Sequence, residues 1–383
     1  MEPEKIFLIN IAESIFFYCL VILKTEIMKK FLPIIVLVVA MLKASAQDPH
    51  FSQFYMSPIY LNPAMTGAFD GNYRITGLFR GQWGSVLRNE QVPMFRTYTF
   101  SADFRTNKGF AKGDAFGLGA MFVGDQAGES KFGYNCGGIS LAYHKSLNQK
   151  NTNFLTLGFS SQIFQQTIDF SHLQFGSQWD GSAYNSLLPT NEFLVDNKFM
   201  YWDVNAGMMW YMKIAKRTSV YLGASAYHLN RPTISFLGDK NVKLNMKFVG
   251  HGGIRFPIKG RFDLQPKFIV MSQGKSLELI LATDFRILFE DRYPEGNNFR
   301  FGAMFRMVGG DANAPWRDKR MVAESVILDA GIVWNGIELG VAYDINVSQL
   351  ISGSKSQGGF EVGLAYVGKW NKRGPQTIYC PRF

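Results

Sequence analysis

Charge is scarce in this sequence: 18% of its residues are Asp, Glu, Lys or Arg, against 47% that are apolar. A soluble enzyme carries more charge on its surface. Cysteine is scarcer still. Of three, Cys19 lies in the stretch before Met28, which leaves Cys136 and Cys380. Two cysteines make neither a disulfide framework nor a zinc site, and these are either joined by one bridge or unpaired. Histidine is limited to His50, His144, His172, His228 and His251, none patterned with a serine. No G-x-S-x-G elbow, HExxH helix or EF-hand loop occurs, so nucleophilic, zinc-hydrolytic and calcium chemistry have no motif to stand on. Gly353-Ser354-Lys355-Ser356 lacks the preceding glycine of a phosphate loop. The sequence therefore gives no catalytic residue, metal ligand or cofactor site, and an enzyme is not expected. Nor is there a Lys/Arg-rich block. The formal net charge of +10 is spread one cation at a time, which argues against a nucleic-acid partner and for a modestly basic interior and rim. After residue 46 no apolar run is long enough for a transmembrane helix.

What is present is aromatic and glycine-rich: 15% aromatics, with 34 Phe and 38 Gly. Met28-Lys29-Lys30, the apolar run Phe31 to Leu42 and the small residues Ala44-Ser45-Ala46 make a complete secretory signal peptide over 28–46. Cleavage after Ala46 would leave Gln47 first. Residues 1–27 hold a second apolar run, Ile6 to Leu23, interrupted by Asn10 and Glu13. It reads as an upstream start taken for the first residue, or an extra leader, rather than a membrane anchor.

From there on, alternation of period two recurs. Trp202, Val204, Ala206, Met208 and Trp210 form an apolar face with Asp203 and Asn205 opposite. Leu277 to Ile287 alternates with Glu278, Asp284 and Arg286; Phe299 to Phe305 with Arg300 and Arg306; Tyr73 to Phe79 with Arg74 and Arg80. Phe360, Val362, Leu364 and Tyr366 repeat the pattern near the end. Long strands with aromatics near the ends of the apolar face suit a tilted membrane crossing better than a soluble sandwich. The fold class expected is all-β: a transmembrane, antiparallel outer-membrane β-barrel over 71–370, of about fourteen strands. Strand starts are expected near residues 72, 95, 115, 131, 152, 201, 218, 244, 262, 276, 298, 323, 336 and 359. Arg74, Arg80, Glu278, Asp284, Arg300, Arg306 and Asp329 then become lumen charges, with Glu278 and Asp284 beside Arg300 and Arg306 and Asp329 on the far side. Gly117-Leu118-Gly119 reads as a bend in the wall. The longest connections, near 167–200, 229–243, 308–322 and 347–358, fall at one end and short turns at the other, as in barrels with long loops outside.

Residues 47–70 precede the first strand. Phe51, Phe54, Tyr55, Tyr60 and Leu61 crowd there with Asn62 and Pro63, too apolar for a loose terminus. They are expected to pack into or beneath the barrel as a periplasmic or plugging element, and 371–383 to form a periplasmic tail. The opening Gln47-Asp48-Pro49-His50-Phe51-Ser52-Gln53-Phe54-Tyr55, then Pro58-Ile59-Tyr60-Leu61-Asn62-Pro63-Ala64 and Gly67, resembles the PorP/SprF family of type IX secretion in Bacteroidota. Tyr73-Arg74, the Arg80, Gln82 and Trp83 cluster and the terminal Cys-Pro-Arg-Phe fit it too. The resemblance implies a non-enzymatic outer-membrane protein that works with that system. Its partners would be periplasmic and outer-membrane secretion components, the surrounding lipid, and a large secreted surface protein or adhesin, in some members tied to gliding motility. Loops would hold the exported partner, and the terminal segments would contact the apparatus from the periplasm. The rival function is a porin-like channel for small solutes; a lipid-modifying enzyme would need a Ser–His pair at the rim.

Overall fold

Strands that must hide polar side chains from lipid, and leave no backbone group unpaired in it, are driven to close on themselves. The computed structural model describes residues 48–89, 92–106, 108–192, 196–290, 296–309 and 321–370. The leader over 28–46, the prefix before it, Cys380 and the tail after residue 370 lie outside the described residues.

Fourteen antiparallel strands form one closed barrel. They are β1 (Tyr73–Gln82), β2 (Phe95–Thr106), β3 (Ala115–Ala127), β4 (Phe132–Ser146), β5 (Asn153–Thr167), β6 (Lys198–Ala215), β7 (Thr218–Tyr227), β8 (Lys247–Lys259), β9 (Phe262–Gln273), β10 (Ser276–Leu288), β11 (Asn298–Gly309), β12 (Val322–Trp334), β13 (Ile337–Asn346) and β14 (Gln357–Gly368). Each strand pairs with its neighbours in sequence, and β1 meets β14 from Tyr73↔Gly368 to Gln82↔Gly359 to seal the wall. The expected starts fall on or close to these. The largest displacements are at β6, expected near 201 and beginning at Lys198, and β8, expected near 244 and beginning at Lys247.

The two faces of the wall are inverted relative to a soluble protein. Phe100, Leu141, Phe159 and Leu364 point outward and are 53–61% exposed, while Asp103, Asn205, Asp284 and Glu361 point inward and are at most 1% exposed. That polarity is what a hydrocarbon surround selects. Strand parity follows the alternation of the sequence: Leu339, Val341 and Tyr343 face out, Ala342 and Asp344 in.

The connections divide by end. At the end where β1 starts, β6 turns into β7 over 216–217, β8 into β9 over 260–261 and β12 into β13 over 335–336, with the somewhat longer 107–114, 147–152 and 289–297 beside them. The other end carries 83–94, 168–197, 228–246, 310–321 and 347–356. Two tight turns break this rule there: 128–131 joins β3 to β4, with Gly128 at φ 66°, and 274–275 joins β9 to β10, with Gly274 at φ 58°.

Candidate functional site

The lumen is not empty. Residues 48–72 run through it before β1 begins, and from Phe51 to Asp70 every residue but Tyr60 is buried. Local chemistry shapes this path. Short helical turns occupy Phe54–Met56, Pro58–Leu61 and Pro63–Met65. Pro58 and Pro63 open the last two, where a missing N–H costs nothing. The Asn62 side chain caps the third, its Oδ1 accepting from the Ala64 amide at 2.9 Å. The chain enters near β7–β9, dips to Tyr55, and doubles back until the Tyr60 hydroxyl donates to the Pro49 carbonyl at 2.7 Å. It then descends to the opposite rim, where the Asn72 amide donates to the Gly368 carbonyl at 2.8 Å.

At the entry, the Asp48 carboxylate lies 2.9 Å from His228 Nε2 and 3.5 Å from Lys247 Nζ. The Gln273 amide brackets it, accepting from the Asp48 N–H at 2.8 Å and donating to Oδ1 at 3.2 Å. His228 Nδ1 faces Asp203 at 3.1 Å. Burial opposes a charge on His228, but Asp48 and Asp203 outweigh it and raise its pKa to about 9. Burial opposes the Asp48 charge as well, and Lys247 and His228 overcome it, holding Asp48 below the usual carboxylate range. His50 is different. Burial first, then the Arg306 and Arg80 charges, push it well below its ordinary value, so it meets Glu278 at 3.2 Å as a neutral ring.

One turn lower, a ring of wall charges closes on Ser52 and Gln53. Both backbone amides donate to Glu361, at 2.7 and 2.8 Å. Arg80 bridges Glu361 at 2.6 Å and Asp344 at 2.9 Å, while Arg306 reaches Asp344 at 2.5 Å and Glu324 at 2.6 Å. The Ser52 hydroxyl sits among them, donating to Asp344 at 2.8 Å and accepting from Arg80 at 2.9 Å. Below this, Tyr55 donates to Asp329 at 3.1 Å, with Lys267 Nζ 3.5 Å and Arg300 Cζ 4.5 Å from its ring centroid. Those cations are themselves paired, Lys267 with Asp284 at 2.5 Å, and Arg300 with Asp329 at 3.3 Å and Asp284 at 3.6 Å. Buried, paired charges of this kind, here with Arg300 Nε, Asp284 Oδ1 and Asp329 Oδ1 making no hydrogen bond among the described residues, fix geometry more than they add stability.

The turn at Asn62 is seated by absent side chains. A Cβ at Gly158 would overlap the Pro63 carbonyl and the Ala64 nitrogen; one at Gly207 would overlap Asn62 Oδ1; one at Gly117 would overlap the Thr66 carbonyl. The wall can touch the segment backbone only because these positions are glycine. Gly117 and Gly119, read in the sequence as a bend, are therefore contact points, Gly119 facing Ile59 and Thr66. The Asn62 amide donates to the Met208 and Ala224 carbonyls at 3.1 and 3.3 Å and lies 3.0 Å from His251 Nε2.

Near the far rim, Asp103 accepts from the Gly67 amide at 2.7 Å and pairs with Arg74 at 2.7 Å. Arg74 also donates to the Met65 carbonyl at 3.0 Å, and Phe69 lies under Arg74 and Arg105, 4.7 and 5.9 Å from the ring centroid. His144 Nε2 is 2.8 Å from the Thr66 carbonyl, so it carries the proton, and Nδ1 is left to accept from Thr156 at 2.9 Å. Beside the segment, one space of about 20 Å³ lies among Phe51, Phe54 and Val249 and another of about 50 Å³ among Met56, Phe69 and Arg74. These hold a few waters at most.

The seven segment residues named from sequence thus lie in the lumen, Phe51 and Tyr60 with rings 5.9 Å apart. So do Arg74, Arg80, Glu278, Asp284, Arg300, Arg306 and Asp329, all buried in the wall lining. Arg306 turns to Glu324 and Asp344, and Glu278 to His50. Sequence reasoning passed over Asp48, Ser52, Asp103, His228, Lys267 and Glu361. Glu361 and Asp103 carried a signal, being charged opposite Phe360, Val362, Phe100 and Phe104 on alternating strands. Asp48 and Ser52 stand out only as members of the opening motif, and His228 carried no signal. Cys136 is buried and unbonded, its thiol 3.5 Å from Gln162 Oε1.

The profile of the family described as type IX secretion system membrane protein PorP/SprF matches residues 43–366. No curated protein matches the chain. Among solved structures, the toluene transporter TbuX of Ralstonia pickettii superimposes with a TM-score of 0.47 at 8% identity, covering 82% of this chain and 94% of that one. A mutant of the TodX monoaromatic hydrocarbon channel gives 0.44 at 11% identity, with 82% and 94% covered. The KdgM porin gives 0.35 at 9% identity, with 76% and 98% covered.

Proposed function

The chain belongs to the PorP/SprF family of type IX secretion system membrane proteins, and from that premise we propose that it serves the system as a closed docking barrel. A closed sheet with an apolar exterior in this membrane family is an outer-membrane protein. The partner we assign to it is a large secreted surface protein or adhesin, of the kind used in attachment or gliding. The long connections would hold that partner during export or anchor it afterwards. Other components of the apparatus would meet the short-turn end.

The observation that carries this reading is the burial of residues 51–70 against the lumen wall. Phe51, Phe54, Tyr55, Met56, Ile59 and Leu61 are each at most 7% exposed, and burial of a large side chain is worth roughly 1.5–3 kcal/mol. A segment packed along the lumen stands in the way of a solute while it stays in place, which weighs against the porin-like alternative. No catalytic step is proposed.

The test is deletion of His50–Leu61 with the leader kept. The barrel should still reach the outer membrane and migrate faster unheated than boiled, while the exported partner disappears from the cell surface. Normal surface amounts of the partner would remove the segment from the mechanism. Steady conductance of the intact protein in planar bilayers would favour the solute channel instead.

A further inference from the structure

We infer that the segment inside the barrel begins at the cell exterior, so that the N-terminal end at Asp48 belongs to the surface that meets the exported partner and not to the periplasmic face. The sequence alone suggested a periplasmic contact for this end. Three strand termini locate it. Asp48 is held by His228, just past the end of β7; by Lys247, the first residue of β8; and by Gln273, the last of β9. All three lie at the end that carries 168–197, 228–246 and 310–321. The segment reaches the opposite end only at its close, where Lys369 meets Asp70 at 3.2 Å and Arg105 donates its amide to the Asn72 carbonyl at 2.9 Å. That end carries the turns 216–217, 260–261 and 335–336.

Barrels of this kind put long loops outside and tight turns in the periplasm. β1 and β14 then start and finish in the periplasm as usual, but the residues before β1 traverse the lumen and end on the far side. The arrangement is directional. The segment is covalently fixed at the periplasmic rim through Asn72 and held at the outer mouth by non-covalent contacts to Asp48. Once residues 1–46 are removed on export, a partner outside can seize the free end directly, whereas one in the periplasm meets, among the described residues, Asp70, Asn72 and the connections of that end. This inference rests on the outer-membrane location, the loop asymmetry and the removal of residues 1–46 on export, and does not depend on what the barrel docks.

The experiment uses the full chain in cells. An epitope is placed immediately before Asp48, a second after Gly181 in the long 168–197 connection, and a third after Gly260 in a short turn. Antibody should stain intact cells carrying the first two and reach the third only after the outer membrane is permeabilised. Staining of the Asp48 epitope only after permeabilisation, with the Gly181 epitope accessible throughout, would overturn the inference; so would surface exposure of the Gly260 epitope. Should the first insertion block folding, Asp48→Cys in a background of Cys136→Ser and Cys380→Ser replaces it. Labelling by a membrane-impermeant maleimide on intact cells supports the inference. Labelling confined to lysed cells of a heat-modifiable barrel overturns it.

Discussion

Glu361 ties the segment to the wall, taking the Ser52 and Gln53 amides and the Arg80 guanidinium. Glu361→Gln keeps the shape but removes the charge, leaving Arg80 with one ion-pair partner, Asp344, besides the Ser52 hydroxyl. Breaking a buried pair from one side costs about 3–5 kcal/mol. The heat-modified gel band should accordingly be lost at a clearly lower temperature. The Asp48 anchor should respond to pH from both sides. His228 has its pKa raised from 6.5 to about 9, so its contribution is whole below the unfolded value and fades as pH rises through about 9. Asp48 is shifted the other way, so its contribution is present above 3.8 and is lost as pH falls below that. Protease should cut the segment near His50 faster in alkaline buffer than at neutral pH, and His228→Asn should abolish that difference while Lys247 still holds Asp48. At this scale the sequence was half legible. Parity told which way Glu361 points, because Phe360 and Val362 flank it. Nothing told what it holds, since its partner amides lie more than three hundred residues away in sequence. His228 obeys no alternation and could be placed only in three dimensions.

Strands, turns and the segment were legible to different degrees. Runs such as Leu277–Ile287 fixed strand positions and faces, because lipid on one side and polar company on the other reward a single register. Leu339→Arg or Val341→Arg, on the lipid side, should cost about 2–4 kcal/mol near the midplane. The lumen side is not the permissive face that alternation alone suggests: Ala342 is buried, and an arginine there must displace the segment. Ala342→Arg should therefore leave a membrane-inserted barrel whose N-terminal residues have become protease-sensitive, whereas Leu339→Arg should lower the yield of inserted barrel itself. Gly158→Val should act like Ala342→Arg, ejecting the turn at Asn62. The seating glycines were illegible as such. Gly117 and Gly119 look like a bend until Thr66 and Ile59 are placed against them, and that placement depends on contacts far apart along the chain.

Across the whole molecule, the closed sheet and the filled lumen together predict electrical silence. Reconstituted in planar bilayers the intact protein should show little steady conductance, and the His50–Leu61 deletion should show discrete openings. Composition and alternation announced the wall of this molecule, and the crowding of aromatics before Tyr73 announced that something apolar had to be stowed. Neither could give its path, which is decided by charges and glycines contributed by nearly every strand. The passage of residues 48–72 from one rim to the other also has a consequence in time. A finished hoop cannot easily be threaded by a strip that folds back on itself, as this one does between Tyr55 and Tyr60. The strip must already lie within the curling sheet when β1 and β14 meet, so it works as a mandrel on which the wall is wound. Because long-range pairings of this sort are slow to find, variants that loosen the strip should delay closure as well as weaken the product. The delay would appear as a lag in the rise of the fast-migrating band during refolding into detergent or lipid.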